Sequence, residues 1–332
     1  MKIAVDLMGS ETSPKTLWQG TQHALQALDV DFNLVILATE ETFKELDIQE
    51  APRLALLSTP QVVEMEDQPT HAIRRKKNST LLKGIHLLRE GHVDALVTSA
   101  NTGALIAASA IYLPTLPNIK KPALLAVMPS KKNPFALVDA GGLVEVRAQH
   151  LVDFSYLGAA FVMSRYQCAV PKIALLNIGV ESIKGTETLR EAYALLQQLK
   201  DPPFQFVGNI EGRDAFLGDV DVILTDGFTG NVFLKTAEGL TRFIFEQVLE
   251  VSKGNEALRD LEYLCDYSRY PGALVCGTEK ILIKCHGSVT ADAFKKSILF
   301  SAELIKDHVL QKMQKLLSKK RSYTNPQKKN HK

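Results

Sequence analysis

Short runs of β-branched residues and leucine alternate along this chain with longer segments whose apolar positions recur at helical spacing. The runs predict strands at 3–6, 34–37, 54–57, 95–98, 124–128, 136–139, 173–177, 204–207, 220–224 and 281–284. The longer segments predict helices near 14–28, 79–90, 102–113, 147–166, 186–199, 230–251 and 290–317. Strands that alternate with helices argue for a mostly parallel sheet covered on both faces. There is no internal repeat and no Gly/Ser linker, so residues 1–318 are expected to form one α/β domain. The least regular stretch is 251–272, which is polar and carries Tyr263, Tyr267, Tyr270 and Pro271. Residues 319–332 are polar, basic and broken by Pro326, and a disordered tail is expected there.

Small and polar residues gather where predicted strands end. Asp6 precedes Met8-Gly9-Ser10, and Thr98-Ser99 precede Ala100-Asn101-Thr102-Gly103. Asp139 precedes Gly141-Gly142, and Asn177 precedes Gly179, with Lys184-Gly185 behind it. Asp226 precedes Gly227, and Lys284 precedes His286-Gly287-Ser288. In an open α/β sheet the carboxyl edge is where ligands bind. The richest segment runs from Val220 through Asp226-Gly227-Phe228-Thr229-Gly230-Asn231 to Lys235. It reads as a buried strand, a tight polar turn and a long helix. Glycines admit a ligand close to the backbone, and a helix start offers unpaired N–H groups to an anion. A well-capped turn with no ligand is the competing reading of that segment alone.

The 332 residues are 45% hydrophobic and 23% charged, which suits a globular protein with a sizeable core. A net charge of +2 does not point to nucleic acid, but it hides an asymmetry. No carboxylate side chain follows Asp307, while Lys312, Lys315, Lys319, Lys320, Arg321, Lys328, Lys329 and Lys332 do. The rest of the chain is therefore net negative. Cys168, Cys265, Cys276 and Cys285 have neither C-x-x-C nor zinc spacing, which fits free thiols in a reducing cytoplasm. Only three apolar residues separate Lys2 from Asp6, so no signal peptide is expected at this start.

Gly-x-Gly-x-x-Gly is missing, which argues against the usual nucleotide dehydrogenase. The run Gly179 to Thr186 has Lys184 and Gly185 in the wrong order for a P-loop. No His-Glu-x-x-His motif is present, no Asp-x-Asp pair is read as holding a metal, and neither a metal nor a cofactor is expected. The Gly-x-Ser-x-Gly elbow of covalent serine hydrolases is missing too. What remains is a set of amides and cations: Asn101, Asn177, Lys184, Asn209, Arg213, Asn231 and Lys235, with His286 among small polar neighbours. Such residues can hold an anionic reactant and stabilise an oxyanion without a nucleophile of their own. That suits a group transfer in which the substrate itself attacks.

Ile3-Ala4-Val5-Asp6-Leu7-Met8-Gly9 resembles the opening of the PlsX-type phosphate acyltransferases. Further matches are Asn101-Thr102-Gly103-Ala104, Asn177-Ile178-Gly179 with Glu181, Lys184 and Gly185, and Gly208-Asn209-Ile210-Glu211-Gly212-Arg213-Asp214. Asp226 to Asn231, Lys235-Thr236 and His286-Gly287-Ser288 complete the set in family order, over residues 3 to about 300. The resemblance implies a three-layer αβα sandwich like those of phosphotransacetylases and isocitrate dehydrogenases. It implies transfer of a fatty acyl group from acyl carrier protein to inorganic phosphate, giving acyl phosphate for phospholipid synthesis. It also implies a cytoplasmic homodimer loosely attached to the membrane. Three stretches depart from the family pattern. Leu7, Ser10 and Glu11 alter the first turn, and Thr98-Ser99-Ala100-Asn101 stands for Ser-Ala-Gly-Asn. Leu143 replaces an asparagine in the run Asp139 to Glu145.

On this reading phosphate is expected where helix starts converge, near Asn101-Thr102-Gly103 and Thr229-Gly230-Asn231, with Lys184 or Lys235 offsetting its charge. Asn177, Gly179, Asn209, Arg213, Asp226 and Gly227 belong to the expected substrate-binding turns, and His286 or an asparagine amide to oxyanion stabilisation. The rival readings are a phosphotransacetylase using a coenzyme A thioester and a non-catalytic scaffold that binds acyl carrier protein.

Overall fold

The computed structural model describes residues 1–251 and 272–318. The predicted tail at 319–332 and most of the irregular 251–272 stretch, with Cys265, lie outside the described residues. Among the described residues eleven strands form one sheet: β1 (Lys2–Asp6), β2 (Asn33–Ala38), β3 (Leu54–Ser58), β4 (Ala95–Thr98), β5 (Ala123–Met128), β6 (Phe135–Val138), β7 (Lys172–Asn177), β8 (Gln205–Glu211), β9 (Val222–Leu224), β10 (Ala273–Cys276) and β11 (Ile281–Lys284). Their spatial order is β3-β2-β1-β4-β11-β10-β5-β6-β9-β7-β8.

Alternate strand residues feed two apolar layers, as the period of two requires. Ile3, Val5, Ala95 and Val97 face one layer, with α1 (Pro14–Ala27), α6 (Ala148–Tyr166), α7 (Glu187–Gln197) and the last two helices, Ala291–Lys306 and Val309–Ser318. Ala4 and Leu96 face the other, with α3 (Pro69–Arg75), α4 (Thr80–Arg89), α5 (Thr102–Tyr112) and α8 (Gly227–Val251). This is the expected αβα sandwich with a mostly parallel sheet.

Three pairings break the parallel pattern: β5–β6, β5–β10 and β10–β11 are antiparallel. Strands β6, β9, β7 and β8 therefore run opposite to β1, β4 and β11. The polar turns after Asp6, Thr98 and Lys284 lie at one sheet edge; those after Val138, Leu224, Asn177 and Glu211 lie at the other. A single carboxyl edge carrying all six turns is thus not what the chain forms. Periodicity shows each strand but not its direction, so the reversal was hidden.

Four local features also differ from expectation. The helices α2 (Glu40–Glu45) and α3 are six and seven residues long, too short to show a helical period. β10 is a four-residue run bordering the irregular stretch. The predicted 290–317 helix is two helices, parted at Asp307-His308, where His308 takes a left-handed φ of 52° without a proline or glycine to signal it. Helix α8 begins at Gly227, three residues before the predicted start.

Candidate active site

The floor of the site is a row of buried polar residues at the ends of three parallel strands. Asp6, Thr98 and Lys284 are cross-strand neighbours on β1, β4 and β11, and all are buried. The Asp6 carboxylate accepts from Thr98 Oγ1 at 3.0 Å and from the Met8 N–H at 3.1 Å. The Lys284 ammonium donates to the carbonyls of Ser99 at 2.9 Å and Cys285 at 2.5 Å. Burial pushes the Asp6 carboxyl up to about 6, against hydrogen bonds and the Lys284 charge that favour its ionised form. Burial likewise pulls the Lys284 amine down to about 8. Lysine can bridge two carbonyls because its ammonium carries three donors and no acceptor. Here it pins the turn after β4 to the turn after β11.

His286 stands on that floor. Its Nδ1 accepts from the Ser288 N–H at 3.1 Å and lies 2.9 Å from Ser288 Oγ. In a neutral ring an accepting Nδ1 leaves the proton on Nε2. Burial first, and the Lys235 charge second, hold the imidazole below its ordinary pKa, so it is neutral near pH 7. Lys235 Nζ meets His286 Nε2, and Glu238 faces both, with Oε2 2.8 Å from Lys235 Nζ and 3.7 Å from His286 Nε2. The Nε2–H and the ammonium are both donors, so they do not satisfy each other. They converge on one half-exposed place that an acceptor must fill, and Glu238 is the acceptor beside it.

Lys235 and Glu238 come from the third turn of α8, which starts at the opposite sheet edge. That start is built on two carboxylates. Buried Asp139 accepts N–H groups of Leu124 at 3.0 Å, Gly141 at 3.1 Å, Gly142 at 2.7 Å and Leu143 at 2.7 Å. Burial raises its pKa to about 6 despite those four bonds. Asp226 caps α8 by accepting from the Thr229 N–H and hydroxyl, both at 2.8 Å. A Cβ on Gly230 would lie 1.9 Å from the Asp139 carbonyl oxygen, so only glycine lets the helix approach this turn. Asn231 follows, exposed and beside Gly141, one turn before Lys235 on the same helix face.

The expected residues therefore divide. Asn231, Lys235 and His286 lie along α8 and the turn it reaches. Asn101 is committed elsewhere: its Oδ1 caps α5 through the Ala104 N–H at 3.0 Å, and its Nδ2 donates to the Met65 and Asp67 carbonyls. Thr102 and Gly103 open α5, and a Cβ on Gly103 would meet Pro69 at 2.6 Å. The α5 and α8 starts lie at opposite sheet edges and do not converge. At the α8 start, the N–H groups of Gly227, Thr229 and Gly230 already bond to the Leu143 carbonyl, the Asp226 side chain and the Asp226 carbonyl. Asn177, Gly179, Lys184, Asn209 and Arg213 form a separate group at the ends of β7 and β8. Asn177 Nδ2 donates to the Lys184 carbonyl at 3.1 Å and Asn209 Nδ2 to the Glu181 carbonyl at 2.9 Å, which ties down loop 178–184. Arg213 pairs with Glu211 at 2.9 Å, and Lys184 is exposed. Glu238, Ser288 and Lys284 were not among the expected site residues. A lysine closing the apolar run Ile281-Leu282-Ile283 was the one signal for the last of them. Among the described residues, no group of three or more His, Cys, Asp or Glu side chains could hold a metal ion.

The fold is that of the phosphotransacetylase class. EutD phosphotransacetylase from Staphylococcus aureus superposes with a TM-score of 0.57 at 17% identity, over 91% of this chain and 94% of that one. A branched-chain phosphotransacylase from Enterococcus faecalis V583 gives 0.57 at 14% identity, over 92% and 100%. More specifically, the chain belongs to the fatty acid synthesis protein family, whose model matches residues 1–312. Relatives named phosphate acyltransferase include those of Thermodesulfovibrio yellowstonii, 34% identical over 96% of this chain and 94% of that protein, and Desulforamulus reducens, 38% identical over 92% and 94%.

The tautomer and charge arrangement is open to direct titration. The His286 imidazole should titrate below its ordinary 6.5, and Lys235→Ala should move it upward, because the substitution removes the adjacent positive charge. Ring resonances followed by NMR against pH check this; an unmoved midpoint would place the Lys235 charge away from the ring.

Proposed function

We propose that this protein transfers a fatty acyl group from the thioester of acyl carrier protein to inorganic phosphate, giving acyl phosphate for phospholipid synthesis. Membership of the family, with relatives named phosphate acyltransferase, supports the reaction class. The observation that carries the site assignment is the convergence of two donors, the Lys235 ammonium and the His286 Nε2–H, on one half-exposed place above the buried Lys284 ammonium.

In this reading phosphate takes the place of Glu238 beside those donors, and the Asn231 amide meets it from one helical turn away. A phosphate oxygen attacks the thioester carbonyl carbon, and the new P–O–C linkage forms as the carbonyl becomes a tetrahedral oxyanion. Preorganised donors at the oxyanion are worth roughly 2.7–4 kcal/mol each. The C–S bond then breaks, the carbonyl re-forms, and the proton of the hydrogen phosphate ends on the departing thiol. No enzymic base is consumed.

A coenzyme A thioester is the rival donor. The purified protein should consume acyl-carrier thioester only when phosphate is present, without added metal or nucleotide, and faster than the coenzyme A thioester. Asn231→Ala and Lys235→Ala should each lower turnover about 10- to 100-fold with the fold intact, since charged hydrogen bonds to an anion are worth about 1.5–3 kcal/mol. Carrier binding without phosphate-dependent thioester loss would mark a scaffold instead, and normal kinetics in both variants would move the site.

We further propose a homodimer at the membrane surface. Phe228, Val232, Leu240, Phe243 and Ile244 are exposed on α8 at helical spacing, an apolar stripe suited to a second copy. Phe243→Glu should then sediment as a monomer where the parent sediments as a dimer. Among the described residues no helix is long and apolar enough to cross a membrane, so attachment is assigned to the basic tail. Each basic residue near an anionic surface contributes about 1 kcal/mol. Removing 319–332 should weaken salt-sensitive pelleting with anionic vesicles and leave turnover at saturating substrate unchanged; equal pelleting at low salt rejects the tether.

A further inference from the structure

A cleft of about 540 Å³ opens at the carboxyl end of the edge strand β3, between Ser58-Thr59-Pro60 and the outer side of α4. Three cations line it: Lys77, Lys83 and Arg89. Its only carboxylate, Glu90, already pairs with Arg89 at 3.1 Å. Two polar atoms in its wall, Thr59 Oγ1 and His86 Nδ1, are buried and have no hydrogen-bond partner. Burial, then the Arg89 charge, holds the His86 ring below its ordinary pKa. Exposed Arg74 and Arg75, at the end of α3, precede Lys77 and extend the positive strip. Arg74, Arg75, Lys77 and Lys83 have no ion-pair partner among the described residues. Lys76, by contrast, is tied to Asp67 at 2.5 Å, and the Asp67 carbonyl accepts from Asn101 Nδ2. The basic strip is thereby anchored to the turn beside the candidate active site.

The sheet fixes where this cleft stands relative to His286. Leu57, Leu37, Asp6, Thr98 and Lys284 form one cross-strand row through β3, β2, β1, β4 and β11. Ser58-Thr59-Pro60 leaves one end of that row and Cys285-His286 leaves the other, at the same sheet edge. Four strand spacings separate them, roughly 19 Å. A carrier protein that presents its thioester on a long flexible arm must rest its body at such a remove from the reacting atoms. A strip of five cations over two helices and the turn between them exceeds what one phosphate group needs; it matches an extended acidic surface.

We propose that the strip formed by Arg74, Arg75, Lys77, Lys83 and Arg89 around the β3–α4 cleft is the docking surface for the acidic body of the acyl carrier. The assignment rests on the acyl-carrier reading above. It predicts that charge removal here acts on the carrier and not on the chemistry.

The test compares the parent with an Arg75→Glu/Lys77→Glu/Lys83→Glu variant. Acidic holo carrier protein is titrated by fluorescence anisotropy, and turnover is measured with acyl-carrier and with acyl-pantetheine, which has no protein body. The variant should bind carrier about tenfold more weakly or worse, with KM for acyl carrier raised to match and a flattened salt dependence. Its turnover of acyl-pantetheine should stay at the parent level, which also shows that the variant is folded. If acyl-pantetheine turnover is lost as well, the glutamine triple variant at the same positions replaces it. Unchanged carrier binding and KM overturn the proposal, as does a parent that binds no carrier. Loss of pelleting with anionic vesicles, with carrier KM intact, would assign the strip to lipid and likewise overturn it. If the parent binds carrier but shows no phosphate-dependent thioester loss, while the variant loses binding, the catalytic reading falls and the docking surface stands.

Discussion

The Lys284 ammonium is the interaction on which the candidate site depends. Carrying a charged amine into the interior costs several kcal/mol unless its donors are matched. Lys284 matches two of them with the Ser99 and Cys285 carbonyls. Those carbonyls belong to different strand ends, so satisfying the amine also locks the β4 turn to the β11 turn. His286 follows Cys285 directly, and its ring inherits that fixed position. Asp6, one strand further, offers opposite charge while its own hydrogen bonds go to Thr98 and Met8. The result is a rigid floor in which the Lys284 charge is screened little, because it is buried.

The reversal of strand direction at β5 and β10 sets the second constraint. It places the start of α8 at the edge away from His286. The helix must then cross a sheet whose central strands are only three to six residues long. A rise of about 1.5 Å per residue carries Lys235 roughly 12 Å from Gly227, which is enough for so narrow a sheet. Close packing of α8 on the turn after β6 is what aims it, and Gly230 over the Asp139 carbonyl is what permits that packing. The polar turn Asp226 to Asn231 thus serves the site mainly by launching the helix. Its best-placed chemistry lies one and two turns downstream.

Much of this was legible in the chain. Ten of the eleven strands and the long helices follow from periodicity, and the αβα layers follow from their alternation. Strand direction did not, because a short apolar run reads the same in either sense and only pairing partners decide it. For the same reason the α5 and α8 starts seemed to converge when they do not. Residue type was a fair guide to polarity but not to employment. Asn101 in the turn after β4, Asn177 at the end of β7 and Asn209 within β8 each spend amide donors on neighbouring carbonyls. Glu238 was invisible because an acidic residue in the third turn of a helix has no local signature; only the arrival of His286 beside it gives it a role.

Cations gather at the carboxyl edge of β1, β4 and β11, with the Asp6 and Glu238 carboxylates among them. Lys284 lies beneath, Lys235 beside, and the cations of α3 and α4 lie roughly 19 Å away along the same edge. A neutral His286 adds a donor without adding a like charge next to Lys235, which keeps the cluster from repelling itself. Were the ring protonated, three cationic groups would crowd one opening, and burial already opposes that state. The arrangement therefore separates two tasks by distance. On the proposed reading, short-range donors meet the small anion where bonds change, and a long, exposed strip meets an extended one where only docking is needed. Buried and half-buried groups act in a low-dielectric setting and tolerate salt, whereas the exposed strip is screened by it. On that reading, ionic strength acts more strongly on docking than on the chemistry beside His286.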